Sequence, residues 1–304
     1  MKFAIHAVDG HRFPNLALMR ISSWHKAQGH DVEWYNPLFK YDRVYASKIF
    51  TFTPDDPYLP DDAIRGGTGY DVHSRLPDEI AVMPPDYSIY PCVSDAYGFL
   101  TRGCPNKCPW CIVPAKEGNI HPVADIMDIL RGRTSAVLMD NNFLSGPEGF
   151  VISQLRQIVW HRIRVDFNQA LDARRIPDYA EILARVKWLK YIRMSCDTDA
   201  MIGPCLKAIR ELRVYGLRGD IMVYVLAMNG DDGQKSALRR IRELTDSDDR
   251  VVPFVMPYRS FTDNSVMPDD DLKALARWCN RVWLRKSCEF NEYKKNYKKG
   301  KHET

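Results

Sequence analysis

Hydrophobic and polar positions along the chain fall into two regimes. The residues from Lys2 to Val8 are mostly apolar, the pattern of a buried strand, and Leu16, Met19, Trp24 and Ala27 near helical spacing predict a helix over 15–28. A second strand is expected at Asp31–Tyr35, a third at Arg43–Phe50, and a short one at Ile80–Met83 after the turn Gly66-Gly67-Thr68-Gly69. These elements make a small, Rossmann-like α/β unit. The Pro-rich stretch from Pro84-Pro85 to Pro91 reads as a connector, so the first domain is placed at 1–91.

Downstream the pattern becomes a strict alternation. Strands are expected at Ala96–Thr101, Ser135–Asp140, Ile163–Asn168, Leu189–Ser195, Ile221–Ala227 and Val251–Pro257, with amphipathic segments between them near 122–131, 149–161, 177–186, 199–215 and 233–245. Such a series implies parallel β/α units with right-handed crossovers. The simplest assembly is an α/β fold with a partial (β/α)6 TIM-like barrel over 92–262, although a doubly wound open sheet would give the same string of elements. Leu272, Leu275, Trp278, Val282 and Trp283 predict a C-terminal helix over 269–290, which with a basic, mobile tail fills 263–304.

Composition narrows the classes. A chain of 304 residues with 45% hydrophobic content supports a real core and excludes disorder throughout. The 43 basic and 39 acidic residues give +4, with much of the excess between Lys294 and Lys301, so composition does not call for a nucleic-acid partner. Met1-Lys2-Phe3-Ala4-Ile5 lacks the apolar core and cleavage site of a signal peptide, and no run reaches the roughly 18 apolar residues of a membrane span, so a soluble cytoplasmic protein is expected. In that compartment eight cysteines are thiols or metal ligands rather than disulfides.

Three of them lie in Thr101-Arg102-Gly103-Cys104-Pro105-Asn106-Lys107-Cys108-Pro109-Trp110-Cys111, spaced C-x3-C-x2-C just after the first strand of the series. Gly103, Pro105 and Pro109 keep this backbone out of regular helix, so three thiolates can wrap round one centre. Thiolates favour iron–sulfur clusters or zinc, and three ligands leave one metal position without a local protein donor.

This spacing, with an aromatic residue before the last cysteine and its place after the first barrel strand, resembles the signature of the radical S-adenosylmethionine superfamily. The resemblance implies that Cys104, Cys108 and Cys111 ligate three irons of a [4Fe-4S] cluster while S-adenosylmethionine chelates the fourth, with Trp110 shielding the cluster. One electron then breaks a carbon–sulfur bond of the sulfonium, and a 5′-deoxyadenosyl radical abstracts hydrogen from the substrate. It further implies a flavodoxin- or ferredoxin-like one-electron reductant. A structural zinc site with His121 as fourth ligand, in an RNA-binding module, is the competing reading.

The resemblance also implies a cosubstrate site at the C-terminal ends of the strands, where parallel β/α folds place ligands in general. Met139-Asp140-Asn141-Asn142 stands where the family often has Gly-Gly-Glu, and Asp140 or an Asn carbonyl would receive the methionine amino group. Asn142, Gln169, Arg193 and Ser195 are expected to line the site. Arg193 and Ser195 alternate with apolar Ile192 and Met194 and so share a face, where they meet ribose or carboxylate, or else form an internal salt bridge. Tyr224, in Gly219-Asp220-Ile221-Met222-Val223-Tyr224, resembles the segment that packs on adenine.

The small first domain resembles a degenerate cobalamin-binding unit. Asp9-Gly10-His11 begins the family's Asp-x-His-x-x-Gly sequence without its glycine, so cobalamin, and with it a radical methylase, is the disfavoured alternative. Gly66–Gly69 is read as an ordinary turn in preference to a phosphate cradle. Cys196, Cys205, Cys279, Cys288 and Cys92 are read as buried free thiols in preference to ligands of a second cluster. Lys294–Lys301 with Tyr297 is read as a solvated end, RNA contact being the weaker alternative. The substrate stays open, because hydrogen abstraction needs little acid–base machinery from the protein.

Overall fold

The computed structural model describes residues 1–263 and 265–302, with side chains as far as Tyr297. The chain divides into two compact units, Met1–Tyr97 and Gly98–Thr304.

In the first unit strand β1 (Lys2–Ala7) leads to helix α1 (Leu16–Ala27), then to strands β2 (Asp31–Trp34), β3 (Arg43–Ser47) and β4 (Ile64–Gly66) and the single-turn helix α2 (Asp78–Ala81). The strands form one parallel sheet in the order β2-β1-β3-β4. Alternation along β1 sends Ile5 and Ala7 to one face, against Leu18, Met19 and Ile21 of α1, and Ala4 to the other, against Val44, Ala46, Leu59 and Ala63. Asn15 starts α1 by accepting the amides of Ala17 and Leu18 on its side-chain oxygen.

Two expected strands change here. Ile80–Met83 holds the last residues of α2 and the turn that follows it, because the Pro77 carbonyl accepts from the amides of Ile80 and Ala81 and closes a turn before a ladder can form. The third strand stops at Ser47 because the Asp9 carboxylate takes the amides of Ile49 and Phe50 and the Thr53 hydroxyl. The glycine turn also resolves. The amides of Gly69, Tyr70 and Asp71 bond to the carbonyls of Lys48 and Gly67, so those donors are spent on the turn.

The second unit continues with β5 (Ala96–Gly98, which straddles the division), β6 (Thr101–Arg102), α3 (Val113–Glu117), β7 (His121–Pro122), α4 (Ile126–Leu130), β8 (Ser135–Leu138), α5 (Glu148–Trp160), β9 (Arg164–Phe167), α6 (Ile176–Arg185), β10 (Lys187–Trp188) and β11 (Ile192–Ser195). After these come α7 (Ile202–Val214), β12 (Ile221–Ala227), α8 (Gly230–Ser247), β13 (Val251–Pro257), α9 (Asp270–Asn280), α10 (Val282–Ser287) and α11 (Phe290–His302). One sheet runs β10-β9-β8-β5 and another β11-β12-β13, and the pairs β8–β9, β9–β10, β11–β12 and β12–β13 are parallel. A parallel bridge between Leu171 and Met194, with the Leu171 amide on the Arg193 carbonyl at 2.8 Å, carries the ladder from the β9 side to β11. Apart from the short antiparallel pair β6–β7, the unit is therefore a mixed α/β fold of parallel sheets. The expected strand at 189–195 is shortened to Ile192–Ser195, which pairs with β12, while the rungs to β9 are made by Lys187 and Trp188 just before it. The stacked rings of Phe143 and Phe167, 4.9 Å apart and fully buried, tie the loop after β8 to β9, a contact worth about 1 kcal/mol beyond its burial.

At the C-terminus the single helix expected over 269–290 is two, α9 and α10, and α11 forms from the expected tail. Asn280 ends α9 by turning its side-chain amide to β13, accepting from the Val255 amide at 2.7 Å and donating to its carbonyl at 3.0 Å. The tail is helical, and Lys294 ties α11 down through Asp271 at 2.8 Å and Gln234 at 3.0 Å. Side chains beyond Tyr297 in the basic segment lie outside the described residues. Cys196, Cys205 and Cys279 are buried free thiols, whereas Cys288 is half-buried and Cys92 exposed, as its place in the solvent-facing turn before Val93 dictates. Among the described residues no helix is long and apolar enough to cross a membrane.

His25, buried in the first unit, gives a test of that core. It stacks on Phe3 at 3.6 Å and bonds Tyr45 and His30, and burial, with His30 beside it, holds its pKa down to about 4 from an ordinary 6.5. Below pH 6.5 the unfolded chain takes up a proton that the folded chain refuses, so this contribution to stability is complete above 6.5 and is lost as pH falls toward 4. Thermal melts should show a fall across this range that is shallower in His25→Gln; an equal slope in the two proteins would refute the assignment.

Candidate active site

The cysteine loop is built by the residues that precede it. Asp140, just past β8 and only 1% exposed, accepts the amides of Leu100 at 3.1 Å and Thr101 at 2.5 Å and the Thr101 hydroxyl at 2.7 Å. Burial pushes its carboxyl up to about 6 against the pull of those bonds. Its oxygens therefore face the backbone entering the loop.

Glu117, at the end of α3, closes the loop from the other side. One oxygen pairs with Arg102 at 2.7 Å, and the other accepts the Gly103 amide at 2.9 Å and the Asn141 side chain at 2.8 Å. Gly103 has φ +82, and a side chain there would collide with the Asn119 carbonyl, while the Cys104 amide bonds the Gly118 carbonyl at 3.1 Å. Glycine is thus required where the chain doubles back on itself.

Cys104, Cys108, Trp110 and Cys111 are all half-buried. Cys104 Sγ receives the Asn106 amide at 3.4 Å and the Asn142 side chain at 3.5 Å. Burial pushes the Cys108 and Cys111 thiols up, and for both the charges of Cys104 and Asp197 add to the shift, with Cys111 adding to that of Cys108. Asn142, 3% exposed, also reaches Asp172 at 3.5 Å, and Asp172 accepts from Asn106 at 3.2 Å and from Arg174 at 2.6 and 2.8 Å. The Asp197 carboxyl is raised by burial against the pull of Arg240 and of the Ser195 side chain. Residues just past β8, β9 and β11 therefore gather round the sulfurs, at the end of a parallel fold where ligands usually bind.

The other expected residues lie differently. Arg193 pairs with Asp166 through two bonds at 2.6 and 2.7 Å and donates to Tyr224 at 2.9 Å, and Tyr224 donates to the Asn168 carbonyl at 3.0 Å. These groups form one interior network. Gln169 is exposed and bonds Asn168 at 3.2 Å. His121 is exposed too, with Nδ1 on the Asn119 carbonyl at 3.0 Å. Glu117 and Asn106 were not expected from sequence. Pro114 just after the last cysteine marks a helix start and points to Glu117, whereas nothing local marks Asn106.

The donor set suits an iron–sulfur cluster better than zinc. Thiolates are soft, and N–H donors onto a ligating sulfur are one of the levers that tune a cluster. Among the described residues no three His, Cys, Asp or Glu side chains converge as ligands of a single ion, and His121 is turned to a carbonyl. A cluster asks only one thiolate per iron.

No known family's sequence profile matches the chain, and no curated protein is similar to it. Among solved structures the chain is similar to the cobalamin-dependent S-adenosylmethionine radical enzyme OxsB, solved with aqua-cobalamin and S-adenosylmethionine bound, with TM-score 0.52 and 12% identity over 97% of this chain. The match covers 56% of that longer chain, so this protein spans little more than half its length. At that identity the likeness is one of fold.

The interior ion pair yields a second test. Arg193→Ala leaves the Asp166 carboxylate buried without its partner and should cost about 3 kcal/mol in urea unfolding. Adding Asp166→Asn should recover part of that loss. Simple additivity of the two substitutions would show that the pair is not coupled.

Proposed function

We propose that this chain is a radical S-adenosylmethionine enzyme whose Cys104, Cys108 and Cys111 hold a [4Fe-4S] cluster at the end of a partial (β/α)6 barrel. The observation that carries the reading is the convergence on Cys104 of donors from its own loop, Asn106, and from the end of β8, Asn142. The fold likeness to a radical enzyme supports it. When bound, the cluster would supply one electron to cleave S-adenosylmethionine and so generate the radical that takes hydrogen from a substrate.

The chain's own residues do the holding. Asp140 and Glu117 fix the two ends of the loop, and Gly103 lets it turn. Asn142, whose side chain donates to Cys104 Sγ, and Ser195 are the side chains we assign to the cosubstrate, with Gln169 on the adjoining exposed loop and Trp110 covering the cluster. Arg193 and Tyr224 support the floor beneath them through Asp166 and the Asn168 carbonyl. A flavodoxin- or ferredoxin-like protein is the fitting electron donor.

Cobalamin stays outside the proposal. Asp9 is committed to the 49–53 loop and the His11 ring packs on Trp34 at 3.9 Å, so the residues that begin the cobalamin-type sequence are engaged within their own unit.

Anaerobic reconstitution with iron and sulfide should give a brown protein carrying about four irons per chain. Reduction with S-adenosylmethionine present should release 5′-deoxyadenosine. Alanine at any of the three cysteines should abolish both, and His121→Ala should leave iron uptake unchanged. A colourless protein, or a cluster that leaves the cosubstrate whole, would defeat the proposal.

A further inference from the structure

The opposite edge of the second unit carries a charge distribution that the proposed chemistry does not use. Strands β8, β9 and β10 begin in register, with Arg164 aligned with both Ser135 and Lys187, and the Arg164 amide bonded to the Thr134 carbonyl at 3.2 Å. The segments leading into these strands therefore lie side by side, about 4.8 Å apart. They read Arg131-Gly132-Arg133-Thr134, Trp160-His161-Arg162-Ile163-Arg164 and Arg185-Val186-Lys187, and none contains a carboxylate.

Arg131, Arg162, Arg164, Arg185 and Lys187 are exposed, and among the described residues none of the five makes an ion pair. Elsewhere in the unit Arg174, Arg193, Arg213 and Arg240 are each held by an aspartate. Helix ends alone do not explain the excess. Cations do favour the C-termini of helices, and α4, α5 and α6 finish here. Yet α7 and α8 also finish just before strands, and there Arg218 and Arg250 are accompanied by Asp220, Asp248 and Asp249.

Two further features point to a ligand. Arg131 and Arg162 have left-handed backbone, φ 44 and 54, at positions after a helix where glycine or asparagine is the relaxed choice. Trp160, beside them, is 83% exposed. A bare indole among guanidinium groups suits a chain that offers phosphates and flat bases together, as single-stranded nucleic acid does.

We infer that the edge formed by the segments before β8, β9 and β10 is a binding surface for single-stranded nucleic acid, with Arg131, Arg162, Arg164, Arg185 and Lys187 on phosphates and Trp160 stacked on a base. The near-neutral body of the protein hides this surface in its average charge. Binding here needs neither cluster nor cosubstrate, so its failure is separate from that of the proposed radical chemistry.

The test is fluorescence anisotropy of labelled single-stranded RNA, and of DNA of the same sequence, with the full-length protein over a salt series. Arg162→Gly, which removes the charge and relaxes the backbone, should weaken binding at least tenfold with an unchanged or raised melting temperature. It should also lower the salt slope by about 0.7 for the lost phosphate contact. Trp160→Ala should weaken binding about tenfold and leave the slope alone. The inference falls if Arg162→Gly, Arg164→Ala and Lys187→Ala combined bind as wild type does, or if binding drops only together with the melting temperature. It falls equally if poly-glutamate displaces RNA as well as unlabelled RNA does, which would mark an acidic protein as the partner. Binding lost only when Lys294, Lys295, Lys298 and Lys299 become alanine would assign it to the tail instead.

Discussion

A carboxylate buried at the end of β8, Asp140, decides where the cysteine loop begins. Its bonds to Leu100, Thr101 and the Thr101 hydroxyl occupy donors that would otherwise be orphaned where the chain passes from β5 into β6. An unpaired buried amide costs on the order of 1–3 kcal/mol, so this stretch has little freedom to shift. Cys104 follows Thr101 by three residues, and its position relative to β8 is inherited from that anchor. Asn142, two residues beyond Asp140, then reaches the Cys104 sulfur because both ends of the contact are referred to the same carboxylate.

Beneath the loop, charges are neutralised locally rather than left to the solvent. Arg193 spans from β11 to Asp166 on β9, and Arg240 reaches from α8 to the Cys196 carbonyl at 2.6 Å while pairing with Asp199. The first bond joins neighbouring β/α units where the backbone ladder narrows to the single Leu171–Met194 bridge, and the second ties α8 to the residues just past β11. Side chains thus reinforce the ladder where the strands touch least. Such ties stiffen the strands beneath the loop, as any site that must hold groups in a fixed geometry requires.

Much of this was legible in the residues. Four of the six downstream strands and the long helices between them follow from amphipathic periods, whereas the expected strand at 96–101 is broken into β5 and β6 and that at 189–195 keeps only its second half; the cysteine spacing stood out without any fold. What escaped the sequence was set by contacts between distant positions. Ile80–Met83 looks like a strand until the Pro77 carbonyl captures two amides, and Phe50 looks like strand until Asp9, 41 residues earlier, caps it. Arg193 and Ser195 do alternate as expected, but which of them meets a carboxylate depends on Asp166 of the neighbouring strand, a pairing that no local pattern encodes. Asn106 and Glu117 become site residues only when the loop closes.

The amide of Asn280 has a meaning beyond ending a helix. β13 is the last strand of its sheet, and a last strand offers a free row of donors and acceptors to any other extended chain. With both polar groups of Val255 already bonded to Asn280, a foreign strand approaching that row would find its central rung filled. One side chain thereby discourages the open end of the sheet from zipping onto a second molecule, and so protects the solubility of the folded chain.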